Sequence, residues 1–170
     1  MRKALLLLVA ATVCLLFGCS KEKDEPTPVK PTDIISESDA ETAVGGHDLS
    51  LEHNAVIDMG NNTLKVSYYP EPLGSFDPVT VVVTYPGGDL TENDIKDLYT
   101  ESYLLRDNKK KIRGIGAGAF VAFPAISIYE DGHLIKITAG SGDTKEQLDL
   151  LLSLGQTAVD NLHKFLEENK

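Results

Sequence analysis

Hydrophobic and polar residues alternate most regularly between residues 126 and 138, on both sides of Asp131-Gly132. An Asp-Gly pair between two alternating runs is typical of a β-hairpin with a two-residue turn. With the turn at these residues, Glu130 lies opposite His133, and four isoleucines share one face: Ile126, Ile128, Ile135 and Ile137. A shift of one residue would scatter the isoleucines, so the sequence predicts this register.

Two other regions predict strands. Residues 79–85 read VTVVVTY between two prolines, and six of these seven residues are β-branched. Such a run, apolar on both faces, is typical of a strand in the middle of a covered sheet. Residues 54–59 and 63–69 flank Gly60-Asn61-Asn62, which can adopt positive φ, and they predict a second hairpin.

Capping signals and helical periodicity predict two shorter helices. The first, over residues 37–44, begins with the capping box Ser38-x-x-Glu41 and ends at Gly45-Gly46. The second is capped by Thr91 or Asn93 and ends near residues 107–108. Its apolar stripe consists of Ile95, Leu98, Tyr99, Ser102 and Leu105.

A long helix is predicted at the carboxy terminus, opened by Thr144-x-x-Gln147 and running for about 25 residues. Its buried stripe consists of Leu148, Leu151, Gly155, Ala158, Leu162 and Phe165. Glycine inside a helix costs about 1 kcal/mol relative to alanine. We therefore expect Gly155 to mark a close approach between the helix and the sheet.

Together these elements predict an α+β fold for residues 34–170, taken as a single globular domain. A mostly antiparallel sheet of about five or six strands packs against the long carboxy-terminal helix and one or two shorter helices.

The amino terminus has a different pattern. Met1-Arg2-Lys3 is cationic, and residues 4–17 are apolar and uncharged, a run shorter than the roughly 20 residues of a membrane-spanning helix. Leu16-Phe17-Gly18-Cys19 follows and resembles the lipobox of bacterial lipoproteins, matching at Leu16, Gly18 and Cys19. The resemblance implies cleavage after residue 18 and acylation of Cys19. The alternative is a plain secretory signal that contains a cysteine.

These assignments divide the chain into a cleaved signal peptide (1–18), a lipidated tether (19–33) and the domain. The tether contains three prolines and many charged residues, a composition that does not form a core. Residues 21–25 (KEKDE) are similar to the export signals of surface lipoproteins in Bacteroidetes; the alternative is an ordinary charged tether. The predicted location is the cell membrane or outer membrane, facing the periplasm or the exterior.

Charge and cysteine content narrow the possible functions. The chain has 16 basic and 26 acidic residues, and removal of residues 1–18 would leave 14 basic residues and a net charge of −12. This balance argues against nucleic-acid binding and against electrostatic adhesion to anionic lipids. The two cysteines are Cys14, which leaves with the signal, and Cys19, which carries lipid. The mature chain then offers no thiol for a disulfide, a nucleophile or a zinc site.

The segment KKKIRGIGAGAF, residues 109–120, raises the possibility of a phosphate-binding loop. Such loops place glycines between a buried strand and a helix, whereas here a basic run precedes the glycines and a β-like run follows them. The pattern favours a helix-to-strand connection, with small residues where the long helix lies close. The basic cluster of Arg106, Lys109, Lys110, Lys111 and Arg113 is interpreted as a docking patch or as a solvated turn.

Other polar residues suggest weaker candidates. His47 and His53 could join Glu52 and Asp58 at a metal, but the spacing fixes no geometry, and surface histidines are the preferred interpretation. No metal, cofactor or catalytic residue is predicted. His133 is explained by Glu130 across the hairpin. Three tyrosines at strand ends, Tyr68, Tyr69 and Tyr85, are either part of a binding rim or ordinary strand packing.

The order of elements resembles small α+β lipoprotein domains of unknown function from actinobacteria, with matches at Gly114, Gly116, Ala119 and Phe120. The resemblance covers most of residues 34–166, lacks the paired cysteines of that group and carries over no catalytic residues. The predicted function is that of a lipid-anchored, non-catalytic envelope protein that binds a protein partner or a small ligand. The candidate contact surfaces are the sheet face and the loops 70–76 and 86–93. The alternative is an inhibitor or immunity lipoprotein that neutralises a toxin or enzyme; an envelope hydrolase would need a motif that the sequence lacks.

Overall fold

The computed structural model describes residues 27–46, 48–51, 56–71 and 77–170. Predictions about Cys19, the signal peptide, His47, His53, Glu52 and most of the loop 70–76 lie outside these residues. The elements in chain order are α1 (Pro31–Ile34), α2 (Glu37–Ala43), β1 (Leu49–Leu51), β2 (Ile57–Asp58), β3 (Thr63–Pro70), β4 (Val79–Thr84), α3 (Glu92–Leu105), β5 (Lys110–Ile112), β6 (Gly118–Ala122), β7 (Ala125–Glu130), β8 (His133–Thr138) and α4 (Lys145–Glu168).

The strands form one antiparallel sheet in the order β1-β3-β4-β8-β7-β6-β5. The short strand β2 also pairs with β3, at residues 64–65, whereas β1 pairs with residues 68–70. Helices cover both faces: α4 and α1 lie on one, and α3 lies against β7 and β8 on the other. The predicted α+β class is therefore confirmed. The sheet is larger than expected because β1 and β5 are three-residue strands too short to show a period of their own.

The predicted Asp-Gly hairpin is confirmed in its register. Ile126 pairs with Ile137, Ile128 with Ile135, and Glu130 with His133. Asp131 and Gly132 have φ of 43° and 75°, as the two-residue turn requires. All four isoleucines are fully buried on the face that α4 covers.

The long helix packs as its stripe predicts, with Leu151, Gly155, Ala158 and Leu162 all buried. Thr144 caps it by accepting a hydrogen bond from the backbone N–H of Gln147 at 3.2 Å. Among the described residues no helix is long and apolar enough to cross a membrane.

The opposite face of the sheet carries aromatic and polar side chains. Phe120 packs under α3, with its ring centre 5.5 Å from that of Tyr99 and 5.3 Å from that of Tyr103. Gly118 also faces α3, because a Cβ there would lie 3.1 Å from the Tyr99 hydroxyl. The glycine-rich segment is thus a connection into a core strand, as predicted, but Gly118 accommodates α3 and not the long helix. The basic run before it forms the edge strand β5, which the sequence did not predict.

Several predicted details are wrong. The first helix is capped by Ser36, whose hydroxyl accepts from the Asp39 N–H at 3.1 Å, so Ser38 lies inside the helix. On α3, Leu98 and Leu105 are 41% and 74% exposed, because the helix reaches the sheet mainly through Ile95 and its tyrosines.

The boundary between tether and domain also differs from the prediction. The predicted tether ends at residue 33, but Val29 is buried and Pro31–Ile34 forms α1 against α4 and β3. Tyr68 holds this segment by donating its hydroxyl to the carbonyl of Ile35. The folded domain therefore begins at about Val29.

Candidate functional site

Two concave surfaces of the described residues lie together at one end of the sheet, which we call the groove pole. The β2–β3 and β7–β8 turns, the loop after β4 and the carboxy-terminal turns of α4 meet there. Two grooves share Gly87 as a lining residue and lie on either side of the loop that contains it.

Backbone hydrogen bonds hold that loop in place. Gly87 and Leu90 exchange two backbone hydrogen bonds of 3.0 Å each. Asn62, in the β2–β3 turn, donates its side-chain amide to the Gly87 carbonyl at 2.6 Å, and its own carbonyl accepts from the Tyr85 N–H at 3.1 Å. The wall between the two grooves is therefore fixed by the neighbouring hairpin turn.

The first groove, the acidic groove, has a volume of about 890 Å³. Its charged lining residues are all carboxylates: Asp89, Asp94, Asp97 and Glu101. Asp94 accepts hydrogen bonds from the hydroxyl and from the backbone N–H of Thr91, and these bonds lower the pKa of its carboxyl. Leu98 forms an exposed apolar patch beside the carboxylates. The groove therefore suits a cationic ligand that also carries an apolar group.

The second groove, the histidine groove, has a volume of about 690 Å³. Tyr85, Glu92, His133 and His163 line it, together with the first described residue, Thr27. His133 is 5% exposed, and its Nδ1 lies 2.7 Å from the carbonyl oxygen of Asp131. Burial lowers the pKa of His133, and the Asp131 carbonyl and nearby carboxylates oppose that effect only in part.

A second histidine meets two carboxylates at the rim of this groove. His163 Nε2 lies 2.7 Å from Glu130 Oε1 and 3.5 Å from Asp131 Oδ2. Glu130 also accepts a hydrogen bond from the backbone N–H of Ala117. The expectation that Glu130 explains His133 is therefore wrong: the two residues are opposite in register, but the carboxylate turns to His163. Three such ligand atoms within 4.8 Å could hold a divalent cation, and His163 and Glu130 are also within hydrogen-bond distance of each other.

The structure separates the partner-binding residues predicted from the sequence. Tyr68 is fully buried with its hydroxyl bonded inside the domain, and burial raises its pKa, so it is not part of a binding rim. Tyr69 lies half-buried on the opposite face of the sheet from Tyr68. Tyr85 is the one tyrosine of the three at the groove pole.

The basic residues lie on and beside strand β5, away from the groove pole. Lys109 donates to the Leu104 carbonyl at 3.2 Å, and its ammonium lies 4.6 Å from the centre of the Tyr103 ring. Lys111 lines a small surface depression with Tyr99 and Tyr103. Lys110 and Arg113 are exposed. The structure thus brings Lys109 and Lys111 together around one tyrosine.

Sequence reasoning missed the acidic groove, although the sequence held a signal for it. Asp94, Asp97, Leu98 and Glu101 are spaced by three or four residues and so share one side of a helix. The His163 contact had no such signal, because it joins residues 33 positions apart.

No protein-family model matches the chain, and no curated protein matches it. Among solved structures, the chain is similar to a protein described as a GTP binding regulator from Thermotoga maritima. The two are 12% identical, the match covers 77% of this chain and 93% of the other, and the TM-score is 0.42. No conclusion about function follows from a similarity of this size.

Proposed function

We propose that this protein is a lipid-anchored, non-catalytic envelope protein that binds a protein partner or a small ligand at the groove pole. The observation that carries the binding role is the pairing of two large grooves on one hydrogen-bonded loop. Volumes in this range are typical of ligand sites. The anchor rests on the lipobox resemblance at Cys19.

The course of the chain supports a pole that faces the membrane. Thr27 lines the histidine groove, so the chain leaves the domain at the groove pole. Thr27 follows Cys19 by eight positions in the sequence, and an extended chain spans at most about 29 Å over eight residue steps. An acylated Cys19 would therefore keep Thr27, at the histidine groove, within about 29 Å of the lipidated residue, on the side where membrane-bound partners are presented.

Binding without catalysis is supported by the exposure of the acidic side chains. Enzymes exclude water around reacting groups, whereas Asp94, Asp97 and Glu101 all lie on the exposed side of α3. His133, the buried titratable residue at this pole, directs Nδ1 to a backbone carbonyl.

Detergent phase partitioning tests the anchor. We expect the wild-type protein in the detergent phase, C19A in the aqueous phase, and C14A to behave as wild type because residue 14 leaves with the signal. A C19A protein that stays in the detergent phase would refute acylation at this position.

A pair of substitutions on α3 tests the groove. Leu98 lies in the acidic groove, whereas Leu104, 68% exposed, lies on the same helix and lines neither groove. We expect L98R to abolish capture of the envelope partner or ligand and L104R to retain it. Equal capture by both variants would place binding elsewhere.

A specific observation favours the inhibitor or immunity role as second candidate: the charged side chains lining the acidic groove are all negative. A basic toxin or enzyme would then bind there, and its capture would weaken sharply between low and high salt. The variant D97N/E101Q should reproduce the high-salt result, whereas D143N/D149N, with the same loss of charge at two exposed positions, should not. Salt-independent capture would exclude this role.

A further inference from the structure

A third cavity lies away from the groove pole, between the carboxy-terminal half of α3 and strands β6, β7 and β8. It has a volume of about 200 Å³ and shares no lining residue with either groove. Its charged lining residues are two cations, Arg106 and Lys136, and its hydroxyls come from Ser102, Ser127 and Thr138.

Lys136 occupies an unusual place for a lysine. It is on β8, with Val82 of β4 on one side and Ser127 of β7 on the other, so its side chain stands out from an interior strand of the sheet. Its side chain is about half buried, and burial lowers its pKa, with a smaller contribution from the positive charge of Arg106. Partial withdrawal from water disfavours the charged form of an amine, and an anion beside the amine favours that form again.

Within the described part of the chain, no carboxylate lies within ion-pair distance of Lys136 or Arg106. The contacts of this kind between described residues are those of His163 with Glu130 and Asp131, at the groove pole. Nor does a described side chain use the hydroxyl of Ser127, which is 7% exposed and faces the same cavity. The half-buried Lys136, the exposed Arg106 and the nearly buried hydroxyl of Ser127 therefore line one small cavity that has no carboxylate among its described lining residues.

We propose that this cavity, the cationic pocket, binds a single oxyanion group, a carboxylate or a phosphate, between Lys136 and Arg106. A volume of about 200 Å³ lies below that of typical small-molecule sites, so the pocket accepts one group and not a large ligand. The anion compensates the positive charge of Lys136, which has no ion-pair partner among the described residues. The hydroxyl of Ser127 donates a hydrogen bond to an oxygen of the anion. Phe120, Phe123 and Pro124 form an apolar wall beside the charged residues, which fits an anionic group carried on an apolar stem. The pocket is independent of the function proposed for the groove pole.

Calorimetric titration of the full chain in detergent micelles tests the pocket, with inorganic phosphate in one arm and acetate in the other. The K136M variant keeps the apolar stem and removes the charge, and R106Q removes the second cation. Since hydrogen bonds to charged groups are among the stronger ones, we expect affinity to fall about tenfold or more in K136M and to fall less in R106Q. Lys110→Met, which removes an exposed cation on β5, should bind as wild type does.

Preference for phosphate or for acetate identifies the anion, and saturable binding lost in K136M supports the pocket. The proposal is overturned if neither anion binds saturably, or if K136M binds as tightly as wild type. A second measurement uses the wild-type protein and needs no variant. The midpoint of the Lys136 ammonium titration, followed by NMR, should move to higher pH when the preferred anion is added. A titration unchanged by the anion would also overturn the proposal.

Discussion

Gly155 of the long helix lies so close to Ile126 of the sheet that a Cβ on the glycine would be 2.9 Å from the Cδ1 atom of the isoleucine. The next contact, with Cδ1 of Ile128, would be 3.3 Å. Both isoleucines are fully buried, so a shift of either Cδ1 atom has to be accommodated inside the core. The glycine therefore allows the helix to lie this close to the sheet, although glycine destabilises a helix relative to alanine.

We predict that G155A lowers the free energy of unfolding, although alanine is the better helix former by about 1 kcal/mol. Overpacking a core costs about 1–3 kcal/mol, which exceeds the gain in helix propensity. Ile126→Val deletes the clashing Cδ1 atom, so G155A should cost less in the I126V background than in wild type. A double-mutant cycle of denaturant unfolding measures this coupling. A fully additive cycle would contradict the packing argument.

The sequence could predict this relationship because it depends on two local patterns. The isoleucine face follows from the Asp-Gly turn, and the helix stripe places Gly155 among apolar residues. Where a residue depended on neighbours distant in sequence, the prediction was weaker: Leu98 and Leu105 fit the periodicity of α3 but have no sheet beneath them. Strand β5 is basic and short, and its pairing with β6 makes it a strand.

The cap of α2 can be tested directly, because the structure places Ser36 at the position for which the sequence predicts Ser38. Ser36 accepts from the Asp39 N–H, and Asp39 in turn accepts from the Ser36 N–H at 2.9 Å. We expect S36A to lower the free energy of unfolding by about 1 kcal/mol. Ser38 is exposed inside the helix, so S38A should leave stability unchanged or raise it slightly. Thermal and denaturant unfolding of the two variants decide between the positions, and a larger loss in S38A would restore the original interpretation.

Tyr68 gives a test of the domain boundary. Its buried hydroxyl bonds the Ile35 carbonyl, which closes residues 29–35 onto the sheet. Y68F would leave that carbonyl without its partner, and we expect a loss of about 1–3 kcal/mol. Tyr69 lies on the other face, half-buried, so Y69F is the matched control and should cost little. Hydrogen exchange should speed up around residues 29–35 in Y68F, and unchanged exchange there would show that the bond does not hold the segment.

The candidate site was less predictable than the fold because its parts come from distant segments. The sequence identified the loop 86–93 as a contact region and Tyr85 as a rim residue, and both lie at the groove pole. It could not place His163 against Glu130, since that contact depends on how far α4 extends past the β7–β8 turn. Tyr68 failed as a surface residue because strand alternation alone does not say which face of β3 is buried.

His133 should contribute to the pH dependence of the free energy of unfolding. Its pKa is lowered in the folded protein, mainly by burial, while Asp131 and Glu92 face it and partly oppose the shift. An unfolded histidine titrates near pH 6.5. Below that pH the unfolded chain binds a proton that the folded chain excludes, so the free energy of unfolding falls as the pH is lowered through about 6.5. Above it both states are neutral at this position, and His133 adds no pH dependence.

We expect the wild-type protein to lose stability through this residue between pH 7.5 and pH 5.5, by at most about 1.4 kcal/mol, the limit that an unfolded pKa near 6.5 sets. H133N keeps a donor for the Asp131 carbonyl but does not titrate, so its stability should change less over the same interval. Asp94 and Glu146, whose pKa values are lowered by hydrogen bonds at helix amino termini, lose their contribution only at lower pH. The difference between wild type and H133N in denaturant unfolding at the two pH values therefore isolates His133. If H133N loses as much stability as wild type over this interval, His133 does not contribute to the pH dependence, and burial does not exclude its proton from the folded protein.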